Sequence, residues 1–213
     1  MRRAGRIVAG VLAIALAACA AACNVLAPQK DESKFFLLTP VGASAAVAPA
    51  SQGGALSIGL GPVNFPQYLK RPEIVTRIGS DQLELSENRR WAEPLDANFQ
   101  SVLAQDLARQ LGSPQITPFP WYGTAHFDYQ VEIQVSRFDV SSDGEARLTA
   151  RWTIRDGANR NVLFATETTA TAQVAAGDPA GSAALSQDVG ELSRQIADRI
   201  RELGAGGAMT SKS

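Results

Sequence analysis

The stretch YQVEIQVSRFDV (Tyr129–Val140) decides the fold, because apolar and polar residues alternate along it for longer than elsewhere in the chain. The alternation is strict over Tyr129–Val135, and its parity then shifts so that Phe138 and Val140 become the apolar positions. A period of two indicates a β-strand with one buried face, and a shift of one residue indicates a β-bulge. We therefore predict a long strand with a bulge near Ser136-Arg137.

Two further strands are predicted after this one. Asp143-Gly144 is a turn signal, and the stretch Leu148–Ile154 then alternates between apolar and polar residues. A second turn signal at Asp156-Gly157 leads into Asn161–Gln173. Strands joined by such short turns are antiparallel neighbours, so these segments predict a three-stranded meander.

Two segments have the apolar stripe of an amphipathic helix. The first is Leu95–Leu111, and Gly112 follows it as an expected C-terminal stop. The second runs from about Pro179 to Leu203, with Asp178 as the expected N-cap and Gly204 as the expected end.

Four shorter strand patterns precede the first helix. Lys34–Thr39 is an apolar run that predicts a buried strand, and Ala55–Gly61 alternates. The stretch Pro62–Pro72 contains three prolines, which exclude a central strand. Glu73–Ile78 and Gln82–Glu87 then predict a hairpin. The alternating residues of this hairpin are Ile74, Thr76 and Ile78 on one strand and Leu83 and Leu85 on the other. The predicted fold class is α/β (mixed α+β), with a single mixed, largely antiparallel sheet covered by two helices.

The N-terminus has the pattern of an export signal. Arg2, Arg3 and Arg6 precede the apolar run Ile7–Ala18, which is too short for a stable transmembrane helix. The last residues, Leu16-Ala17-Ala18-Cys19, resemble a bacterial lipobox, in which the cysteine thiol becomes the lipid attachment point. We therefore expect residues 1–18 to be a lipoprotein signal peptide and Cys19 to carry acyl chains.

Two alternatives to this N-terminal site stay open. One is an ordinary signal peptide cleaved near an Ala-x-Ala sequence. The other is attachment at Cys23, although Ala20 stands there where a lipobox prefers leucine. The chain has 2 cysteines, both at the signal boundary, so no disulfide framework accounts for them.

The remaining boundaries follow from composition. Residues 19–33 are the predicted tether, in which Asn24–Ser33 is a polar leader, and residues 34–203 form the predicted domain. Within it, residues 41–54 are rich in Ala, Ser and Gly and predict a flexible linker. Residues 204–213 have little to pack and are expected to be disordered.

Composition and motifs argue against several classes of function. The formal net charge is −1, from 20 basic and 21 acidic residues, which does not favour nucleic acid as a partner. No hydrolase, zinc-protease or nucleotide-binding motif occurs, and the single histidine, His126, is expected to be structural or solvent-exposed. No cysteine follows Cys23, so thiolates cannot build a zinc site. We expect neither an enzyme nor a cofactor.

Two strings carry a resemblance to a known family. IGLGPVNFPQYLKRPEIVTR (Ile58–Arg77) and RRWAEPLDANFQSVLAQDLARQL (Arg89–Leu111), with the earlier KFFLLTP (Lys34–Pro40), resemble the PqiC family of ABC-type transport auxiliary lipoproteins. Lys70 and Glu73 depart from it, because they stand where members have an acidic or amide residue and a glutamine.

The resemblance implies a non-catalytic outer-membrane lipoprotein that is lipid-anchored and faces the periplasm. It would work with a mammalian-cell-entry (MCE) type periplasmic protein and an inner-membrane permease complex in intermembrane lipid transport. Ala20 follows Cys19, so the aspartate that retains many lipoproteins at the inner membrane is missing. An envelope assembly or cell-wall scaffold lipoprotein is the alternative.

A loop inside the first of these strings is the candidate partner surface. It combines apolar, aromatic and cationic side chains, which are frequent in protein interfaces. The candidate residues are Phe65, Tyr68, Leu69, Lys70 and Arg71. Alternatively, the three apolar or aromatic side chains fold back onto the core and Arg71 pairs with a local carboxylate. The sequence leaves open whether the chain forms a homo-oligomer and whether it binds lipid itself.

Overall fold

The computed structural model describes residues 32–42, 56–112, 115–122 and 126–210. Cys19, Cys23, the signal segment and most of the predicted tether and linker lie outside these ranges. The elements in chain order are β1 (Lys34–Phe36), β2 (Ile58–Asn64), a 3₁₀ turn (Gln67–Leu69), β3 (Glu73–Arg77), β4 (Leu83–Trp91), α1 (Leu95–Leu111), β5 (Ile116–Pro118), β6 (Tyr129–Ser141), β7 (Glu145–Asp156), β8 (Val162–Gln173) and α2 (Ser182–Thr210). The predicted fold class, a mixed sheet with two helices, is confirmed.

Strand β6 is the centre of the sheet. Strand β7 pairs with it antiparallel along nearly its whole length, and β8 continues the meander. On the other side of β6, β2 pairs in parallel with its first half and β3 pairs in parallel at Val140-Ser141. The sheet order is therefore β1-β4-β3-β6-β2-β5, with β7 and β8 on the opposite side of β6. The register shifts between Val135 and Arg137, which confirms the predicted bulge.

Helix α1 has the bounds that its apolar stripe predicts. It ends at Gly112, whose φ of 61° is the left-handed conformation that glycine adopts without steric cost. Helix α1 packs on β2 and β5, α2 packs on β7 and β8, and the two helices pack on each other. The core lies between this helical layer and the sheet, and its largest fully buried side chains include Phe99, Leu103 and Ile196.

Helix α2 differs from the prediction at both ends. It begins at Ser182, and the Asp178 carboxylate still caps it by accepting the N–H groups of Ser182 (3.2 Å) and Ala183 (2.9 Å). It continues past Gly204, where the sequence predicted its end, to Thr210. A glycine inside a helix costs about 1 kcal/mol, and it ends the helix only where its backbone adopts the left-handed conformation. Gly204 has no positive φ, so the helix continues through it.

The prediction that the prolines of Pro62–Pro72 exclude a central strand is wrong for the first of them. Strand β2 lies between β5 and β6 and runs through Pro62 to Asn64. Its register against β6 shifts between Leu60 and Val63, so Pro62 occupies an irregularity where no ladder hydrogen bond is required. The predicted element order also lacked β5, because a three-residue strand has too short a pattern to detect.

Two segments have apolar residues that are exposed although their sequence pattern suggested burial. Strand β1 is an edge strand and not a buried one, with Phe35 65% exposed. In the β3–β4 hairpin, Ile78 and Leu85 are exposed, whereas Val75 is buried. The register of this hairpin shifts between Glu73 and Val75. A shift of this kind exchanges the faces of a strand, which simple alternation does not predict.

Residues 38–41, which we term the strap, connect β1 to both helices. The Leu38 N–H donates to Asn98 Oδ1 of α1 (2.7 Å), and the Thr39 N–H donates to Ser186 Oγ of α2 (3.0 Å). The Val41 N–H donates to the Asp106 carboxylate of α1 (3.1 Å). Buried side chains therefore satisfy three backbone donors of a segment that belongs to no sheet.

Candidate partner-docking site

Two of the five candidate residues belong to the core. Phe65 and Leu69 are buried, and the Phe65 ring packs edge-to-face on Phe99 (centroid distance 5.2 Å) and Phe138 (6.2 Å). The alternative in which apolar loop residues fold back onto the core therefore describes these two. They present almost no surface to a partner, and their packing in the core instead holds the loop in place.

Tyr68 is half-buried and joins a charged cluster beneath the loop. Its hydroxyl donates to Oδ2 of Asp139 (3.3 Å), whose side chain is fully buried. Arg77 Nη2 lies 2.9 Å from the same oxygen, and Arg137 Nε lies 2.8 Å from Oδ1. Burial, followed by the charge of Asp139, raises the pKa of Tyr68, so its hydroxyl stays a donor. This Asp139 cluster ties the loop to β3 and β6.

The other two candidates line a surface groove of about 420 Å³, which we term the docking groove. Trp91 and Leu95 are the buried apolar residues of its wall. Its lining residues are Lys70, Arg71, Pro72, Trp91, Ala92, Glu93, Pro94, Leu95 and Asp96. Within the described residues, Arg71 has no carboxylate partner and its Nε is buried without a hydrogen bond, so the alternative of a local ion pair for Arg71 is wrong.

Local structure gives the groove charges of both signs. The Trp91 N–H donates to the Pro72 carbonyl (2.7 Å), which holds the end of β4 against the loop. Pro94 is the N-cap of α1 and supplies no side-chain cap. Glu93 precedes it and Asp96 lies in the first turn, so both carboxylates are at the positive end of the helix. A lining that combines cations, carboxylates and buried apolar side chains suits a polypeptide segment better than a small anion.

The sequence analysis missed an aromatic cluster at the β5 edge of the sheet. Trp121 packs against Phe119 (centroid distance 5.3 Å) and Phe127 (5.0 Å), and its Nε1 donates to the Thr117 carbonyl (2.9 Å). A Cβ at Gly59 would lie 2.7 Å from the Phe127 ring. The sequence does contain both parts of this cluster, an aromatic-rich connector and a strand with glycines. They are distant in the chain, so only the folded structure shows that they pack together.

The described ranges contain no cluster of side chains suited to a metal ion. No group of three or more His, Cys, Asp or Glu side chains in residues 32–42, 56–112, 115–122 and 126–210 could hold a metal ion. His126 is exposed and precedes β6. In the same ranges, no helix is both long and apolar enough to cross a membrane.

Residues 36–197 match the model of a family described as "ABC-type transport auxiliary lipoprotein component". This match covers more than half of the chain. The chain belongs to this family. The docking groove, the Asp139 cluster and the strap all lie inside the matched residues.

Two curated members of the transport auxiliary family are similar in sequence. The chain is 27% identical over 120 residues to the intermembrane transport lipoprotein PqiC of Escherichia coli (strain K12). It is equally similar to PqiC of Shigella flexneri. Each match covers 56% of this chain and spans only 62% of the relative's length.

Solved structures share the fold of this auxiliary-family chain. Protein XCC0632 from Xanthomonas campestris superposes with a TM-score of 0.65 at 14% identity, over 83% of this chain and 99% of that one. A second crystal structure, of an uncharacterized protein, gives a TM-score of 0.62 at 19% identity, over 79% and 98% of the two chains. At these identities the likeness concerns the fold alone.

Proposed function

We propose that this protein is a non-catalytic outer-membrane lipoprotein of an MCE/ABC-type intermembrane lipid transport system. Acyl chains on Cys19 anchor it, and it faces the periplasm. The match of residues 36–197 to the transport auxiliary family carries the proposal. The name of the E. coli relative, an intermembrane transport lipoprotein, and the lipobox-like sequence before Cys19 support it.

The docking groove is the proposed contact for the periplasmic MCE-type component, which in turn meets the inner-membrane permease. Lys70 is exposed at its rim, and Arg71 presents a guanidinium without an internal carboxylate partner among the described residues. An unpaired guanidinium beside buried apolar side chains is a typical interface anchor, because a carboxylate from outside completes its hydrogen bonds. Phe65, Tyr68 and Leu69 support the groove from below and need not touch the partner.

A non-catalytic role agrees with the chemistry of the site. The groove holds Glu93 and Asp96 but neither a histidine nor a nucleophile with an adjacent base. Confinement by acyl chains raises the effective concentration of the domain for partners at the same membrane. The domain can therefore act by binding a partner, without catalysing a reaction.

The anchor is tested by substituting Cys19→Ala in the full chain, with Cys23→Ala as the matched control. We expect Cys19→Ala to leave the membrane fraction and to lose the mass of its acyl chains, whereas Cys23→Ala keeps both. Acylation of the Cys19→Ala protein would assign the anchor to Cys23. Mass spectrometry of the native protein without acyl chains would contradict the lipoprotein assignment.

The partner is tested by co-purification with the MCE-type protein. Arg71→Glu and Lys70→Glu reverse the charge of one groove wall and should reduce recovery of the MCE-type protein. Arg151→Glu is the control, because Arg151 is 72% exposed on β7, far along the sheet from the groove. Equal recovery in all three would remove the groove from the interface. Capture of cell-wall or envelope-assembly proteins in place of the MCE-type protein would support the scaffold alternative.

A further inference from the structure

The outward side of β1 exposes an uncommon amount of apolar surface. Phe35 is 65% exposed and Leu37 is 45% exposed, although each lies one residue from a side chain that packs into or against the core. Successive side chains of an extended chain point to opposite sides, so Phe36 and Leu38 point inward while Phe35 and Leu37 point outward. The exposure therefore follows from the strand itself.

Cations without internal partners flank these apolar side chains. Lys34 is exposed, and Arg90 of β4 lies directly opposite Phe35 in the parallel β1–β4 pair. Neither Lys34 nor Arg90 has a carboxylate partner within the described ranges, and Arg90 Nε is buried without a hydrogen bond. On the other side of Arg90, Glu73 of β3 is its register partner in the antiparallel β3–β4 pair. We term Lys34, Phe35, Leu37 and Arg90 the β1 face.

The β1 face lies close in sequence to the proposed anchor, which favours a membrane as its binding partner. Residues 20–33 separate Cys19 from Lys34. A chain of this length reaches about 50 Å when fully extended and about 20 Å as a flexible coil. Since the proposed anchor at Cys19 precedes β1 in the chain, the β1 face lies within reach of the anchoring membrane.

The chemistry of the face also favours a lipid surface. An aromatic ring with an aliphatic neighbour suits the boundary between headgroups and acyl chains, and lysine and arginine bind lipid phosphates there. Pairing with a second copy along the open edge of β1 is the less favoured occupant, because β1 is only 3 residues long.

We propose that the β1 face rests in the headgroup layer of the anchoring membrane, with Phe35 inserted and Lys34 and Arg90 on lipid phosphates. This inference rests on the proposed function, because the anchor at Cys19 brings the face to the membrane. It adds an orientation: the β1 side of the sheet faces the lipid.

The test places a fluorescent reporter on the face. The acylated full-length mature protein carrying Phe35→Trp is reconstituted into vesicles of phosphatidylethanolamine and phosphatidylglycerol, with or without bromine on the acyl chains near the headgroup. Val162→Trp is the control, because Val162 is 54% exposed on β8 at the other side of the sheet. Emission of the parent protein is subtracted, since Trp91, Trp121 and Trp152 are common to all samples.

We expect brominated lipid to quench the added emission of the Phe35→Trp protein by about twofold and to leave that of the Val162→Trp protein unchanged. Quenching should weaken in vesicles of phosphatidylcholine alone, because this lipid is zwitterionic and the net negative surface charge that attracts Lys34 and Arg90 is lost. Circular dichroism checks that both variants keep the parent fold.

Two results would overturn the inference and leave the anchor intact. Acylated protein that floats with the vesicles but shows equal quenching at both positions, or none, means that the face does not meet lipid. Self-association in sedimentation, with the added emission of the Phe35→Trp protein left unquenched, means that a second copy covers the face. Protein that is neither acylated nor vesicle-bound instead contradicts the proposed function, and the inference falls with it.

Discussion

Arg77 and Asp139 form an ion pair that joins β3 to β6, with Nη2 and Oδ2 2.9 Å apart and the aspartate side chain fully buried. Arg137 approaches the other carboxylate oxygen, and the Tyr68 hydroxyl completes the cluster. The cluster lies where β3 and β2 share the same side of β6, so it fixes the loop of the docking groove to the centre of the sheet.

Replacement of Asp139 by asparagine should destabilise the fold strongly. The change leaves two guanidinium groups, each about one-fifth exposed, without their shared counter-ion. Breaking a buried ion pair by removing one partner costs about 3 kcal/mol of unfolding free energy. Urea denaturation measures it. Glu167→Gln is the control, because its 3.9 Å pair with Arg151 is exposed and should contribute less than about 0.5 kcal/mol. Similar losses in both variants would contradict a structural role for the cluster.

Asp188 should make the protein less stable as the pH rises from about 4 to about 7. Burial, and secondarily the charge of Glu145, raises the pKa of Asp188 to about 7. Because the pKa is higher in the folded than in the unfolded state, folding takes up a proton between these values and stability falls with increasing pH. The loss is on the order of 4 kcal/mol, from about 1.4 kcal/mol for each of roughly three pKa units.

The variant Asp188→Asn isolates this contribution. Its carboxamide stays neutral, so the difference in unfolding free energy between variant and parent should shift in favour of the variant from pH 5 to pH 8. Urea denaturation at the two pH values measures this shift. A difference that is constant with pH would show that Asp188 titrates normally in the folded protein.

Glycine at position 61 should be required in the middle of β2. Its φ of +123° disfavours other residues, and a Cβ there would lie 2.6 Å from the Phe119 Cβ. Gly61→Ala is therefore expected to cost at least about 2 kcal/mol of unfolding free energy. Gly79→Ala serves as the control, since Gly79 has no positive φ and a Cβ there meets no atom within 4 Å. Thermal denaturation of the two variants compares them, and equal melting temperatures would contradict the steric account.

The strap should loosen when Asn98 is replaced by alanine. Asn98 Oδ1 accepts the Leu38 N–H at 2.7 Å in a buried site, so its loss leaves a buried donor unsatisfied at a cost of about 1.5 kcal/mol. Hydrogen exchange of the Leu38 amide should accelerate in Asn98→Ala. It should not change in Ser101→Ala, where the side chain is exposed on the same helix. Unchanged exchange in both would mean that other contacts hold the strap.

Long periodic segments were predictable because one physical signal dominates in each. The stripe of α1 and the left-handed Gly112 define its bounds, and the parity shift before Phe138 identifies the bulge in β6. Short or irregular segments were not predictable in this way. Pro62 is tolerated inside β2 only because the register against β6 shifts beside it, and that shift belongs to the pairing of two distant strands.

The candidate site was predictable in part for the same reason. The loop around residues 65–71 does lie at a groove, but its apolar members Phe65 and Leu69 face the core. Burial depends on what packs above and below a residue, and composition does not record it. The partners of Asp139 come from a loop and two strands, so the sequence contains no local motif for that cluster.

The strap also has a mechanical consequence. Any pull on the chain before Lys34 is transmitted first to the three-residue pairing of β1 with β4 and then to the hydrogen bonds at Asn98, Ser186 and Asp106. These bonds attach to both helices, so tension that passes beyond β1 is shared across the helical layer.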